Sequence, residues 1–136
     1  MADKVTFELV APERLLLAID ADMVVVPGSE GDFGVLAGHQ PIISTLRAGA
    51  VDIYENDKLI DRVFVAGGFA EMSGNRLTIL VEEATSAKEI DRAALPKLIE
   101  EARDALGDAG ADEARREALE SRLAYLELMN ETAPLH

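Results

Sequence analysis

The chain has little of the chemistry on which catalytic and metal-binding proteins rely. It has no cysteine and only two histidines among 136 residues, which excludes disulfides and thiolate metal sites and disfavours a zinc site. It has no tryptophan, and aromatic residues make up 4% of the chain, so stacking surfaces for sugars or nucleobases are disfavoured. The formal net charge of −13 argues against direct binding to nucleic acid or to an anionic membrane surface.

The sequence also shows no recognisable targeting or membrane-spanning segment. The first ten residues, MADKVTFELV, lack the basic and apolar regions of a signal peptide. The apolar runs are far shorter than the ~20 residues that span a bilayer. With 49% apolar residues the chain can build a core, so we expect a soluble, cytosolic protein that has either one domain or one small domain plus an appendage.

Residues 1–84 are predicted to form an antiparallel β-sandwich domain. Val5, Phe7 and Leu9 alternate with polar residues, as in a strand with one buried face. Further short apolar runs, separated by turn residues, predict strands at 23–26, 33–36, 41–46, 51–55, 59–66 and 76–82. Many short strands with turn signals roughly every 8–12 residues are typical of a sandwich or barrel.

Residues 85–136 are predicted to form an antiparallel hairpin of two amphipathic helices. The first has one apolar stripe, and the second, from about 112 to 130, has another; their members are Leu95, Leu98, Ile99, Ala102 and Leu106, and Leu119, Leu123 and Leu126. Ser86 and Glu89 have capping-box spacing, and Asp91 is a second candidate cap. Pro96 implies that the first helix starts late or is kinked.

The loop PGSEGDFGVLAGHQP (27–41) has glycines in the number expected of a phosphate loop but not with its spacing. It has no lysine, no helix follows it, and Glu30 and Asp32 would repel phosphate. His39 has no nucleophile elbow near it, so a hydrogen-bonded turn histidine is favoured over a catalyst. The glycines therefore indicate a shaped, acidic surface for a protein partner.

Several segments together resemble the epsilon subunit of the bacterial F-type rotary ATP synthase. They are PGSEGDFGVLAGHQPIISTLRAG (27–49), FELVAPER near the N-terminus and GGFAEMSGNRLTIL (67–80), in the order of that family. The resemblance implies a non-catalytic central-stalk rotor subunit, whose β-sandwich binds the gamma subunit and the membrane c-ring. It places Glu30, Gly31 and Asp32 toward the c-ring, and it places four residues toward gamma: His39, Ser44, Gly68 and Glu71.

The resemblance also implies that the helical hairpin reaches the catalytic alpha and beta subunits and restrains ATP hydrolysis. Some relatives bind ATP there, and Ile90, Asp91 and Arg92 form a degenerate version of their motif, with Ala94 where arginine is expected. We therefore expect no bound cofactor. Residues 87–136 carry seven basic and twelve acidic side chains, a net charge of −5, which disfavours contact with an acidic beta-subunit segment and predicts weak inhibition. The implied location is the cytoplasmic face of the bacterial inner membrane, with membrane contact only through the complex.

Two other classes of function remain open on the residues alone. One is a stand-alone regulatory or ligand-binding β-sandwich whose helical hairpin dimerises through an apolar face. The other is a small hydrolase, although the sequence has no recognisable nucleophile–base set. Co-purification with a gamma-type coiled-coil subunit would distinguish the rotor subunit from both.

Overall fold

The computed structural model describes residues 4–132, and within them ten strands precede two helices. The strands are β1 Val5–Ala11, β2 Arg14–Ala21, β3 Met23–Gly28, β4 Gly31–Leu36, β5 Ile42–Leu46, β6 Gly49–Glu55, β7 Lys58–Val65, β8 Gly68–Ser73, β9 Arg76–Leu80 and β10 Ala84–Ser86. The helices are α1 Leu95–Gly107 and α2 Glu113–Glu131. This architecture confirms the predicted fold class of a β-sandwich followed by a helical hairpin.

The strands form one continuous ladder that folds over into two layers. One layer has the order β4–β3–β6–β7–β10 and the other β5–β8–β9–β1–β2. Strand β3 joins them, because it pairs with β6 through Met23–Val25 and with β5 at Gly28. The pairings are antiparallel with one exception, since β1 and β9 run parallel.

The sandwich core follows from strand alternation. Val5, Phe7 and Leu9 are buried, whereas Thr6 and Glu8 between them are half-buried, as the sequence predicts. The core contains residues from both layers: Val5, Phe7, Leu9, Ala21, Val24, Val26, Val35, Leu46, Val51, Ile53, Val63, Val65, Ala70, Met72, Leu77, Ile79 and Val81. Burial of each larger aliphatic or aromatic side chain contributes about 1.5–3 kcal/mol, so this core supplies most of the stability of the domain.

Three strands lie outside the ranges predicted from the apolar pattern: β2, β8 and β10. Strand β8 belongs to the segment 67–80 that carries the family resemblance. Strand β2 has the continuous apolar run Leu15–Ile19 instead of a regular alternation, and a register shift at Leu9/Val10 interrupts its pairing with β1. Strand β10 has only three residues and pairs with the end of β7. Because β10 runs to Ser86, the sheet continues past the division proposed at residue 84.

The starts of the helices differ from the predicted caps. Ser86 accepts a hydrogen bond from the Lys88 N–H at 3.3 Å, but this caps a single 3-10 turn at Ala87–Glu89 and not α1. Helix α1 begins at Leu95 and has Pro96 in its first turn, where the missing N–H needs no partner. The prediction of a late start at Pro96 is therefore confirmed, and the Ser86–Glu89 capping box is wrong.

The buried faces of the helices are narrower than their apolar stripes. In α1, Leu95, Ile99 and Ala102 are buried, whereas Leu98 is 38% exposed. In α2, Tyr125, Leu126 and Met129 are buried, and the predicted Leu119 and Leu123 are half-buried. The end of α2 nearer the C-terminus therefore makes the main contact, which the leucine spacing did not show.

The hairpin packs on the outer face of the β6–β7–β10 layer. Phe64 of β7 is fully buried with side chains from both helices, and Ala50 of β6 packs at the margin of the same cluster. The Tyr125 hydroxyl donates to the Phe64 carbonyl at 3.1 Å and shares a hydrogen bond with the Thr85 hydroxyl at 2.9 Å. Burial raises the pKa of Tyr125, because the phenolate would lose its hydration.

Candidate functional site

The acidic loop of the sequence is the tip of the β3–β4 hairpin. Gly28 and Gly31 face each other across the ladder, and Ser29 and Glu30 form the exposed turn between them. The tip is tied to β5, because the Ser29 N–H donates to the Thr45 carbonyl at 2.9 Å and their hydroxyls lie 2.9 Å apart. Glu30, Gly31 and Asp32 are consecutive residues of this tip.

Arg47 modifies the charge of this tip. Its guanidinium pairs with the Asp32 carboxylate and also donates to the Gly28 carbonyl at 2.5 Å. Because both ionic partners are largely exposed, the pair contributes at most about 1 kcal/mol, but it leaves Glu30 as the unpaired acid of the tip. Sequence reasoning missed Arg47 in this role, although it lies within the quoted segment 27–49.

An exposed apolar surface lies on the outer face of the other layer, opposite the hairpin. Ile43 of β5, Phe69 of β8 and Leu80 of β9 are 75%, 54% and 51% exposed. Phe69 pairs with Leu80 across the ladder, and Glu71 pairs with Ile43. We call these four residues the partner face, because large exposed apolar side chains grouped on one surface mark a site of protein contact.

The partner face could have been found from the sequence through breaks in alternation. Ile42 and Ile43 are consecutive apolar residues on one strand, so one of them must point away from the core. Leu80 and Val81 make the same break on the other side of the patch, where Val81 is buried. Such pairs have a second apolar residue that the core does not use.

The four residues predicted to face gamma are spread along this layer. Glu71 lies on the partner face, and Gly68 lies beside it at the start of β8. Ser44 shares a strand with Ile43 but belongs to the opposite face, with Ile42 and Leu46, and its hydroxyl donates to the Thr45 carbonyl at 3.0 Å. Glu71 and Gly68 therefore share strand β8 but belong to its opposite faces, and Ser44 lies on the face of Gly68.

His39 is a residue of the turn between β4 and β5, at the end of the layer away from Gly68. Its N–H donates to the Leu36 carbonyl at 3.1 Å, and its Nδ1 lies 2.7 Å from the Gln40 carbonyl. The adjacent Gly38 N–H donates to Asn75 Oδ1 at 2.9 Å, which ties this turn to the one between β8 and β9. These contacts agree with the structural role predicted for the histidine.

Gly68 has a steric reason to be glycine. Its φ of +143° is a conformation that other residues rarely adopt. A Cβ at this position would lie 2.1 Å from the carbonyl oxygen of Leu80, which is part of the backbone and cannot move aside. The close approach of β8 and β9 beside the partner face thus depends on this residue.

The degenerate nucleotide motif lies between the 3-10 turn and α1. Ile90 packs against the hairpin cluster, and the Asp91 carboxylate accepts the Ala94 N–H at 3.3 Å. Arg92 donates to the carbonyl of Thr132 just beyond α2 at 2.5 Å. All three side chains therefore make contacts within the chain, and Arg92 holds the start of α1 near the end of α2.

Within residues 4–132, no three histidine, aspartate or glutamate side chains come together in a way that could hold a metal ion. None of the helices described is long and apolar enough to cross a membrane. A groove of about 610 Å³ lies between the Gly67–Phe69 end of β8 and Ser121 of α2, and it continues the partner face at Phe69 and Leu80.

Comparison with known proteins agrees with the fold. Residues 4–87 match the family model of the ATP synthase delta/epsilon chain β-sandwich domain, which defines the class of the larger domain. The ATP synthase epsilon chain of Rhodospirillum centenum is 51% identical over 90% of this chain and 87% of its own. That of Parvibaculum lavamentivorans is 44% identical over 97% of this chain and 99% of its own.

A solved structure extends the likeness to the whole chain. A chain in the Euglena gracilis mitochondrial ATP synthase, determined with OSCP, F1 and c-ring, has a TM-score of 0.75 and 28% identity, with 93% of this chain and 79% of that chain covered. The protein therefore belongs to the ATP synthase epsilon-chain family.

Replacement of Gly68 with alanine should destabilise the fold by at least about 3 kcal/mol, because the strained φ and the clash with the Leu80 carbonyl act together. Urea unfolding of the full chain measures the change. Gly74→Ala is the matched control: its φ of +62° also favours glycine, but its Cβ would meet open space, so a loss of about 1 kcal/mol is expected. Equal losses in the two variants would contradict the steric explanation.

Proposed function

We propose that the protein is a non-catalytic subunit of the central stalk of a proton-translocating F-type ATP synthase. In this role it binds gamma and the c-ring and couples rotation of the ring to the catalytic sector. The relatives named ATP synthase epsilon chain and the structural neighbour in an ATP synthase assembly support this function. The structural observation that carries it is the partner face, which leaves three large apolar side chains exposed on the layer that the hairpin does not cover.

The location proposed is the cytoplasmic face of the bacterial inner membrane, where the chain contacts the membrane only through the complex. The bacterial epsilon chains among the relatives support it. The negative charge of −13 opposes direct adsorption to anionic lipid and to nucleic acid. Attachment through the rotor explains how such an acidic chain is held at a membrane.

Gamma is the proposed occupant of the partner face. Ile43, Phe69 and Leu80 present an apolar centre, and Glu71 on the same face supplies a charge at its margin. An apolar centre with a polar rim is the arrangement of stable protein interfaces. Gly68 shapes the adjoining backbone, whereas His39 and Ser44 act through the turn and the strand that support the face.

Phe69→Asp should weaken binding of the chain to purified gamma by at least about thirty-fold, because it places a charge at the apolar centre. Isothermal titration calorimetry measures the affinity, and thermal melting checks that the variant folds. Leu36→Asp is the matched control, since Leu36 is 55% exposed, like Phe69, but lies on β4 in the other layer. Unchanged affinity in Phe69→Asp, or an equal loss in Leu36→Asp, would contradict the assignment.

The β3–β4 tip is proposed to contact the polar loops of the c-ring. Glu30 is exposed there, Gly31 permits the turn, and Asp32 is held by Arg47. Hydrogen bonds to β5 fix the position of the tip, so a force applied to it passes into the sandwich. A rigid, acidic projection suits basic or polar loops on the ring.

Glu30→Lys should weaken binding of the gamma–epsilon complex to vesicles that contain the c-ring, by at least about twofold at low salt and by less at high salt. Co-sedimentation measures the bound fraction, and gamma binding should stay unchanged. Glu117→Lys makes the same change of charge on an exposed position of α2 and should have no effect. Loss of binding in both variants would attribute the effect to net charge and not to the tip.

The hairpin is proposed as a weak regulator of ATP hydrolysis that binds no ATP. Its net charge of −5 disfavours insertion beside an acidic segment of the catalytic subunits. Asp91 and Arg92 already have partners within the chain, and the arginine expected at position 94 is an alanine. Any contact of the hairpin with the alpha and beta subunits is therefore expected to be marginal.

An ATP synthase whose epsilon chain ends at Ser86 should hydrolyse ATP within about twofold of the rate of the enzyme with the full chain, because weak inhibition leaves little to relieve. The cut follows β10 and so leaves the sheet complete. A several-fold rise in the rate would contradict weak inhibition.

The absence of a nucleotide site is tested by equilibrium dialysis of the full chain with ATP, in which no saturable binding is expected. Saturable ATP binding to the full chain that is lost on truncation would contradict this expectation.

The alternative of a dimerising stand-alone sandwich receives less support. It requires an apolar face on the hairpin that is free to meet a second copy. The buried side chains of both helices are already used against each other and against Phe64, and the large apolar residue left on α1 is the partly exposed Leu98. The exposed apolar surface lies instead on the sandwich.

A further inference from the structure

A groove lies where one end of the sandwich meets α2. The segments 66–69 and 80–83 and Pro12 of the β1–β2 turn line it from the sandwich, and Ser121 of α2 lines it from the hairpin. Its volume of about 610 Å³ falls within the range of roughly 300–1,000 Å³ that is typical of ligand pockets. The groove therefore has room for several side chains of a partner.

The groove is continuous with the partner face. Phe69 and Leu80 belong to both, and they pair with each other across the β8–β9 ladder. Most of the remaining lining is apolar side chain or glycine, and Val81 beside Leu80 is buried. A protein that covers Phe69 and Leu80 therefore covers one wall of the groove at the same time.

The rim of the groove is acidic. Glu83 is paired with Arg122 at 2.7 Å, whereas no basic side chain of residues 4–132 forms an ion pair with the exposed Glu82. Glu13, next to Pro12, has a φ of 82°, a conformation that glycine or asparagine adopts at lower cost. The β1–β2 turn thus keeps an acid beside the groove despite backbone strain. An apolar floor with an acidic rim suits a partner segment that is apolar and carries a basic residue.

We propose that the groove is a second binding site for gamma. It takes a short segment of gamma whose apolar side chains enter the groove and whose basic side chain reaches Glu82. The proposal rests on the proposed function, because it assumes that gamma covers the partner face. The hairpin then forms part of the gamma site through Ser121, so that gamma contacts the sandwich and α2 together. Enclosed apolar pockets of this kind hold the side chains that dominate binding energy.

Ser121→Trp in the full chain fills the groove from the α2 side. It should weaken binding of purified gamma by at least about ten-fold in isothermal titration calorimetry, because the indole occupies the space that the gamma segment needs. Ala124→Trp is the matched control, since Ala124 is also a small, exposed residue of α2 but does not line the groove. Affinity within about twofold of wild type in Ser121→Trp, or equal losses in the two variants, would overturn the proposal.

Glu82→Lys tests the charge of the rim on an exposed loop, where it does not depend on the packing of α2. It should weaken gamma binding by at least about fivefold at low salt and by less at high salt. Glu117→Lys makes the same change of charge on α2 away from the groove and should leave the affinity unchanged. Unchanged affinity in Glu82→Lys, or equal losses in both variants, would overturn the match to a basic residue of gamma.

The variants separate the groove from the rotor assignment, because Ser121 and Glu82 lie outside the partner face. If Phe69→Asp abolishes gamma binding while Ser121→Trp and Glu82→Lys bind normally, the groove fails and the proposed gamma contact stands. If Ser121→Trp and Glu82→Lys lose affinity while Phe69→Asp does not, the groove stands and the partner face is not the gamma contact. If all three bind gamma normally, both assignments fail.

Discussion

The architecture depends on one strand, β3, which belongs to both layers of the sandwich. It pairs with β6 as far as Val25 and with β5 at Gly28, and Pro27 stands between these pairings. Proline has no N–H to donate, so it is tolerated where one partner strand ends and another begins. Its ring lies so close to Gly49 that a Cβ on that glycine would come within 2.7 Å of it, and this close approach closes the corner of the sandwich.

The same strand determines where the acidic tip lies. Beyond the corner, β3 turns back into β4, and the tip is bonded to β5 through Ser29 and to the following loop through Arg47. Several backbone and side-chain hydrogen bonds therefore hold a turn that projects from the end of the sandwich. The tip is acidic at Glu30, while Asp32 takes part in holding its shape.

The two outer faces of the sandwich have opposite properties. On the β6–β7–β10 layer, the hairpin covers Phe64 and at the same time buries the apolar side chains of its own two helices. On the other layer, Ile43, Phe69 and Leu80 have no cover within residues 4–132. The net charge of −13 keeps the chain soluble by mutual repulsion between copies. The apolar surface can therefore stay exposed until a partner binds to it.

Much of the fold and part of the site could be predicted from the sequence, because local patterns carry them. Strand alternation, turn residues and the glycine loop determined the sandwich, most of its strands and the β3–β4 tip, and the helical periodicity determined the hairpin. The outward direction of Phe64 and the inward direction of Ser44 needed the register of neighbouring strands, and the exposure of Leu98 and the contacts of Tyr125 needed the docking of α2. These features are products of long-range packing, since the two faces of a strand or helix are equivalent until another element covers one of them.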